Sequence, residues 1–463
     1  MRVFADFREV VIADAEYHFG GSGSPSGLPI PLCFSALELR SGRRFQLWDT
    51  ELRRSSPPWS RDHDTLFVAF NAPAELLCYS VLNWPYPILT LDLLAEFRQA
   101  TNGVLAKDAP RGLLAALQYY GLPHLDLAEK EEWRDLILSG GPFTADQRTG
   151  ILAYNWTDIE GTQRLLKEML PRLPANLDPC LYRGRYTAAV ARTERIGIPV
   201  DAPTWENFLR KRDQVRLEIT KDCPVYEKTI FSMGRFGALL KAWQLDHTWP
   251  HTAKTGIWST KDRVFKDFSY HPAVERLRQV RSVVDQLDKP TFEVRHGAQP
   301  VSDPAVRAQS GRNATKACIF QSPSWLRAFI QPPPGWALIY ADYEQEEFAL
   351  AGILAQDTAM LTAYGSGDPY VPLAILAGLV PRGGTKHTHP RERGIAKTLA
   401  LSLLYGAGAP TLQRKAGISL NLRGIYGVRT GNSTRIAESG LTCRLCMDNE
   451  NGTWIRNSAG GCM

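Results

Sequence analysis

A chain of 463 residues is too long for one ordinary hydrophobic core, so two or three domains are expected. Apolar content of 44% and charge of 22% fit a soluble globular protein. The net charge of +6 permits nucleic-acid binding without requiring it, no run of 18 apolar residues offers a membrane span, and the acids in MRVFADFREVVIADAE break up any signal peptide.

Residues 1–172 alternate strand-like and helix-like runs, as an α/β domain does. Val10–Ala13 and Leu66–Phe70 read as strands, Ala74–Leu82 as a helix, and Thr144–Leu170 as one helix or two. Pro171, Pro174 and Pro179 then mark a linker. Residues 182–300 are mostly helical and basic. Asp201 is placed to N-cap a long helix with Pro203 in its first turn, and Trp205, Phe208, Leu209, Val215 and Ile219 give that helix an apolar face. The turn-rich segment HTAKTGIWSTKD interrupts the region. Residues 301–420 begin irregularly. PPPG at 332–335 introduces an apolar strand at 336–341, in which Ala337, Leu338 and Ile339 are expected to be buried and to deliver Asp342 to the strand end. Helices are expected from Glu346 to Leu361 and from Pro390 to Ala416. Residues 421–463 lose all periodicity and read as an aberrant tail.

Eight cysteines scattered along the chain suit a reducing compartment better than a disulfide framework. Cys443, Cys446 and Cys462 fall in the tail, where three thiols without a histidine leave a zinc site one ligand short.

Three acidic clusters stand beside the apolar runs of residues 1–172. Asp14 and Glu16, two residues apart on a strand, point the same way. Glu75 follows Asn71 by four residues after the strand at 66–70, and Tyr154 and Asp158 share one helix face. Converged, these acids can hold two divalent cations that clamp the attacking water and the leaving oxygen of a phosphodiester, with a tyrosine to orient the water. The pattern resembles the ribonuclease H-like 3′–5′ exonucleases of the DEDDy type. Asp14 and Glu16 match the first motif, Asn71 to Glu75 the second, and Tyr154 with Asp158 the third. The resemblance implies that Asp14, Glu16, Glu75 and Asp158 are Mg²⁺ ligands and that Tyr154 is catalytic. It departs at Glu75, where the family has Asp; one extra methylene moves the carboxylate by about an ångström.

The second constellation is DYEQEE at 342–347 followed by RERGIAKTLALSLLYG at 391–406. On a helix, positions 393, 397, 401 and 405 form a slanting stripe, each step rising about 6 Å. Its cations suit a triphosphate, and they neutralise charge where pyrophosphate leaves. Residues 182–420 resemble the family A (DNA polymerase I-like) DNA polymerases, in a form like those of bacteriophages. Asp342 to Glu347 match the family's motif A, and Arg393, Lys397, Tyr405 and Gly406 match motif B. The resemblance implies a right-hand α+β polymerase domain, with a thumb at 182–300 and partial palm and fingers at 301–420. It implies that Asp342 is a catalytic Mg²⁺ ligand and that Glu347 lies near the nucleotide's sugar. Arg393 and Lys397 would contact the triphosphate, Lys397 acting in catalysis, and Tyr405 would stack near the nascent base pair. Leu401 stands where many members have an aromatic residue beside the sugar. Arg312, in Gly311-Arg312-Asn313, resembles a primer contact, and Lys254 resembles part of a thumb tip gripping duplex backbone. His387 and His389 read as a loop before the fingers helix.

The family's second palm carboxylate, in a His-Asp-Glu turn, is not found after Tyr405. The expectation is therefore a C-terminally truncated polymerase, its tail from a shifted or prematurely ended reading frame. By lineage it carries out template-directed DNA synthesis with 3′–5′ proofreading, its polymerase step inactive because one aspartate cannot hold two ions. The alternatives are a 3′–5′ exonuclease only, or a non-catalytic DNA-binding remnant. The implied partners are DNA primer–template and deoxynucleoside triphosphates. The implied state is a monomer, and the implied setting is the cytoplasm of a bacterial or phage-infected cell.

Overall fold

The structure is a computed structural model that describes residues 4, 6–19, 28–54, 56–106, 108–124, 127–288, 294, 298–299, 301, 305–306, 308, 311–313, 315, 319, 323–407 and 411–412. The tail at 421–463, with Cys443, Cys446 and Cys462, lies outside these residues, as does Cys318. The helix expected to run from Pro390 to Ala416 ends earlier, at Leu404, with a turn at 405–406. The chain divides into two compact units, Met1–Leu338 and Ile339–Met463.

Unit 1 opens with strands β1 (Glu9–Phe19), β2 (Pro29–Glu38), β3 (Arg44–Trp48) and β4 (Thr65–Ala69), helix α1 (Ala72–Val81) and strand β5 (Leu89–Asp92). The strands form one sheet in the order β3-β2-β1-β4-β5. β1 runs antiparallel to β2 and parallel to β4, and β4 runs parallel to β5. Central strands buried on both faces read as unbroken apolar runs, which is why Val10–Ala13 and Leu66–Ala69 are continuous. The two-residue period sorts them. Val10, Ile12, Leu66 and Val68 enter one core with α2 (Leu93–Thr101), α3 (Leu113–Tyr119) and α5 (Ala145–Met169), after α4 (Leu127–Leu138). Val11, Ala13, Phe67 and Ala69 enter a second core with Leu76 and Tyr79 of α1.

The first strand is longer than the sequence implies. Asp14 and Glu16 lie inside it and share the parity of Val10 and Ile12, so they face the α5 side. The pairing of β1 with β2 shifts register between Glu16 and Tyr17, the irregularity that re-aims a side chain beside a site. Thr144–Leu170 is one helix, α5. Its N-terminus is fixed by a capping box in which Thr144 accepts from Gln147 N and the Gln147 side chain accepts from Thr144 N.

α6 (Asp178–Ile196) docks on β5 so tightly that a Cβ on Gly184 would lie 1.8 Å from the Thr90 carbonyl oxygen. Next come β6 (Ile198–Pro199) and α7 (Ala202–Thr220), which Asp201 caps by accepting from Thr204 N. β7 (Tyr226–Glu227), β8 (Ile230–Phe231), α8 (Met233–Ala242), α9 (Asp262–Asp267) and α10 (Pro272–Asp288) follow, and β9 (Ala298–Gln299) pairs with β6. α8 and α10 pack around Phe236, Trp249 and Phe265.

Unit 2 comprises α11 (Glu346–Ala355), α12 (Thr358–Gly365), α13 (Tyr370–Leu376) and α14 (Pro390–Leu404). Its core joins Phe348, Met360, Tyr370, Ala374, Val380, Ala396 and Ala400. The helix expected over Glu346–Leu361 breaks at Gln356, where Asp357 caps α12 by accepting from Ala359 N and Met360 N. Pro390 starts α14, and Gly406, at φ 72°, follows its end.

The expected strand at 336–341 is not formed. Residues 336–343 have no strand hydrogen bonding, and Leu338, Ile339 and Tyr340 are 65%, 86% and 83% exposed instead of buried. A strand needs a neighbour to pair its backbone, and none of the described strands pairs with this segment. No helix among the described residues is long and apolar enough to cross a membrane.

Candidate metal centre and cationic helix

β1 and α5 build an acidic centre. Asp14 and Glu16 project from β1, and Asp158 comes from the facing α5. One carboxylate oxygen of each lies within 4.8 Å of those of the other two. Among the described residues this is the one group of three or more metal-capable side chains. A cavity of about 480 Å³ opens onto it, lined by Asp14, Asn71, Arg98, Arg111 and Asp158, with Phe70 on its wall.

Burial decides the electrostatics. Desolvation, then repulsion from Glu16, Asp158 and Glu75, pushes Asp14 well above the usual carboxylate range. Desolvation followed by the charge of Asp158 pushes Glu16 up to about 8. Glu75, in the first turn of α1, is 3% exposed and its Oε2 has no hydrogen-bond partner. Desolvation raises Glu75 well above its ordinary value, and the charges of Asp92, Glu16 and Asp158 add to the rise. Glu75 thus stands outside the tight trio but within its field. Asn71 supports it by taking a left-handed backbone (φ 74°) at the start of α1, its N–H donating to Asp92 Oδ1 at 3.2 Å. Half-buried, mutually repelling carboxylates, with the unpartnered Oε2 of buried Glu75 acting on them, form a donor set that suits a hard divalent cation such as Mg²⁺.

Tyr154 is buried against Cys33, Ile137 and Ile151 and stacks on Trp133, with ring centroids 6.3 Å apart. Burial, then the charges of Asp158, Glu16 and Asp14, raises its phenol and keeps it protonated. Two residues escaped sequence reasoning. Asn155 Nδ2 donates to Asp14 Oδ2 at 2.6 Å. Its position three before Asp158, on the same helix face, was the available signal. Lys130 of α4 donates to both oxygens of Asp158 at 3.0 Å. Nothing in the polar run AEKEEWRD distinguishes it from solvated charge.

In unit 2, α14 orders the second constellation. Arg393 Nε donates to Asp368 Oδ2 at 2.6 Å, and its guanidinium lies 5.2 Å from the Tyr370 ring centroid. The Lys397 ammonium stands 5.9 Å from the same centroid. Tyr405, just past the helix end, donates to Glu347 Oε1 at 2.8 Å, while Leu401 is half-buried. Sequence reasoning missed Asp368, in the loop before α13, and Tyr370, the first residue of that helix. Asp342 is exposed on the unpaired segment before α11. In unit 1, Arg312 is exposed outside any helix or strand. Lys254 is exposed in a turn closed by the His251–Trp258 bridge and by Thr252 N donating to Ile257 O at 2.8 Å.

No family model matches the chain. A stretch of 93 residues is 37% identical to DNA polymerase I of Synechocystis sp. (strain ATCC 27184 / PCC 6803 / Kazusa), covering 20% of this chain and 9% of that protein. A stretch of 149 residues is 25% identical to DNA polymerase I of Chloroflexus aurantiacus (strain ATCC 29366 / DSM 635 / J-10-fl), covering 32% of this chain and 14% of that protein. The matches thus span about a tenth of these curated relatives' length. Among solved structures, the POL domain of Pol1 from M. smegmatis, in complex with DNA primer-template and dNTP, aligns with a TM-score of 0.60 at 16% identity. That alignment covers 91% of this chain and 72% of that one. The chain is homologous over these stretches to bacterial DNA polymerase I, and it shares the fold of a DNA polymerase POL domain.

Proposed function

We propose that this chain is a DNA polymerase I-type enzyme of family A, in a form like those of bacteriophages, acting on DNA primer–template. In this reading residues 1–172 form a ribonuclease H-like 3′–5′ exonuclease domain, residues 182–300 a thumb, and residues 301–420 palm and fingers bearing motifs A and B. The activity best supported is divalent-cation-dependent removal of nucleotides from a DNA 3′ end. One observation carries it: Asp14, Glu16 and Asp158 converge within 4.8 Å, with the buried Glu75, whose Oε2 has no hydrogen-bond partner, acting on them electrostatically.

Asp14, Glu16 and Asp158 would hold the ion, with Glu75 close by. A bound Mg²⁺ would supply a water of lowered pKa and charge stabilisation on the phosphodiester. The chain's own groups do the rest. Asn155 fixes the Asp14 carboxylate, leaving its second oxygen for the cation. Tyr154 keeps its proton and can orient a water beside the acids. Arg98 and Arg111 bring positive charge to the cavity, where the DNA backbone phosphates would lie.

For synthesis, Arg393 and Lys397 would take the triphosphate, Glu347 and Leu401 the sugar, and Tyr405 the base. Asp342 would be the palm ligand, and Arg312 and Lys254 would contact duplex. Asp368 engages Arg393 through Nε alone, leaving the two terminal nitrogens of the guanidinium to face a phosphate. Asp342 joins no metal-capable group among the described residues, which favours hydrolysis as the working step, with extension negligible.

A 5′-labelled primer–template incubated with Mg²⁺ tests this. Stepwise shortening is expected, and adding all four deoxynucleoside triphosphates should give no lengthening. Combined Asp14→Ala and Asp158→Ala should reduce shortening by about a hundredfold or more. Shortening that survives this double change, or efficient extension, would refute the assignment.

A further inference from the structure

Lys130 has no part in the scheme above, yet it is the cation already inside the acidic centre. Its ammonium lies 3.0 Å from both oxygens of Asp158. The pair is largely shielded, with side chains 26% and 17% exposed. The same ammonium is 5.8 Å from the centroid of the Tyr154 ring. Its charge also acts on Asp14 and Glu16, favouring their ionised forms.

We infer that Lys130 is the resident counter-ion of this centre, and that a divalent cation must displace it from Asp158 before all three carboxylates can hold the ion. This rests on the metal-centre reading above. An ion bound by Asp14, Glu16 and Asp158 together needs an oxygen of Asp158, and both already accept from the ammonium at 3.0 Å. A dication and an ammonium sharing one carboxylate repel strongly where water is scarce. A place to retreat exists beside it. Lys130 and Asp158 also line a separate cavity of about 210 Å³ together with His124, Glu160 and Arg164, where the Glu160 carboxylate, which accepts from Trp156 Nε1 and lies 3.8 Å from Arg164, can share its charge with the ammonium. Without the cation, Lys130 offsets the repulsion among the acids; with it, the lysine swings aside. The wild-type centre is therefore a weaker cation site than its carboxylates alone would make.

The test uses the full chain, with Mn²⁺ as the probe, titrated calorimetrically and by thermal unfolding. Lys130→Gln keeps a polar side chain, one atom shorter, and removes the charge. It should bind Mn²⁺ about tenfold more tightly than wild type, melt lower than wild type without metal, and gain more in melting temperature when Mn²⁺ is added. Lys130→Arg, whose planar fork grips a carboxylate harder, should weaken Mn²⁺ binding about fivefold. Unchanged affinity in both variants, with wild type binding normally, would overturn the inference. Should Lys130→Gln not fold, the arginine variant decides alone, and unchanged affinity there overturns it. Absence of Mn²⁺ binding in wild type and both variants would instead sink the metal-centre reading, and the counter-ion role with it.

Discussion

At the scale of single residues, the acidic centre is governed by desolvation. Glu16 titrates near 8 in the folded chain against 4.5 for an ordinary glutamate. A carboxyl raised on folding favours the folded state below its unfolded pKa, and that contribution is lost as pH rises through the folded one. The metal-free protein should therefore lose stability progressively between about pH 4.5 and about 8, read as a falling melting temperature. Since a cation competes with the proton for the same oxygen, Mn²⁺ affinity should rise over that window, and a flat profile would contradict the desolvation of Glu16 beside Asp158. Tyr154 allows a cleaner separation. Tyr154→Phe keeps the stack on Trp133 and removes only the hydroxyl. Mn²⁺ affinity should hold while 3′ shortening falls by about ten- to a hundredfold, as expected for loss of a water-orienting group. The acids and the tyrosine were legible because strand and helix periods aim side chains predictably. Lys130 was not, because a lysine in a charged helix looks the same whether it faces solvent or a carboxylate far along the chain.

At the scale of elements, continuous apolar runs announced β1 and β4, while the span from Thr144 to Leu170 left one helix or two open until the structure showed α5 as one. The contact between α6 and β5 is decided by one absent side chain. Gly184→Ala would place a methyl 1.8 Å from a backbone oxygen that has no rotamer to move into. Loss of about 3 kcal/mol or more in denaturant unfolding is expected, and a neutral result would mean the helix can slide. The 336–341 run fails as a strand for the opposite reason. Its sequence has the apolar character, but a strand is completed by its neighbours, and none of the described strands pairs with it.

At the scale of the whole molecule, the two units carry different chemistry. The one three-carboxylate group among the described residues belongs to unit 1, and the cationic helix belongs to unit 2. A cation bound only by the folded state raises the stability of the unit that holds it. In calorimetric unfolding, Mn²⁺ should therefore raise the transition of unit 1 and leave that of unit 2 in place, and Asp14→Ala should abolish the rise.

The sequence by itself determined the α/β character of the first domain, the parity of Asp14 and Glu16, the helix carrying Tyr154 and Asp158, and the stripe of Arg393 and Lys397. All of these follow from local periodicity, which needs no knowledge of distant partners. Only the tertiary structure decided which oxygens meet, that Lys130 and Asn155 join them, that Arg393 is held by Asp368, and that Asp342 lies exposed. Those outcomes depend on contacts between residues 25 to 141 positions apart, where burial and charge, not spacing along the chain, set the result.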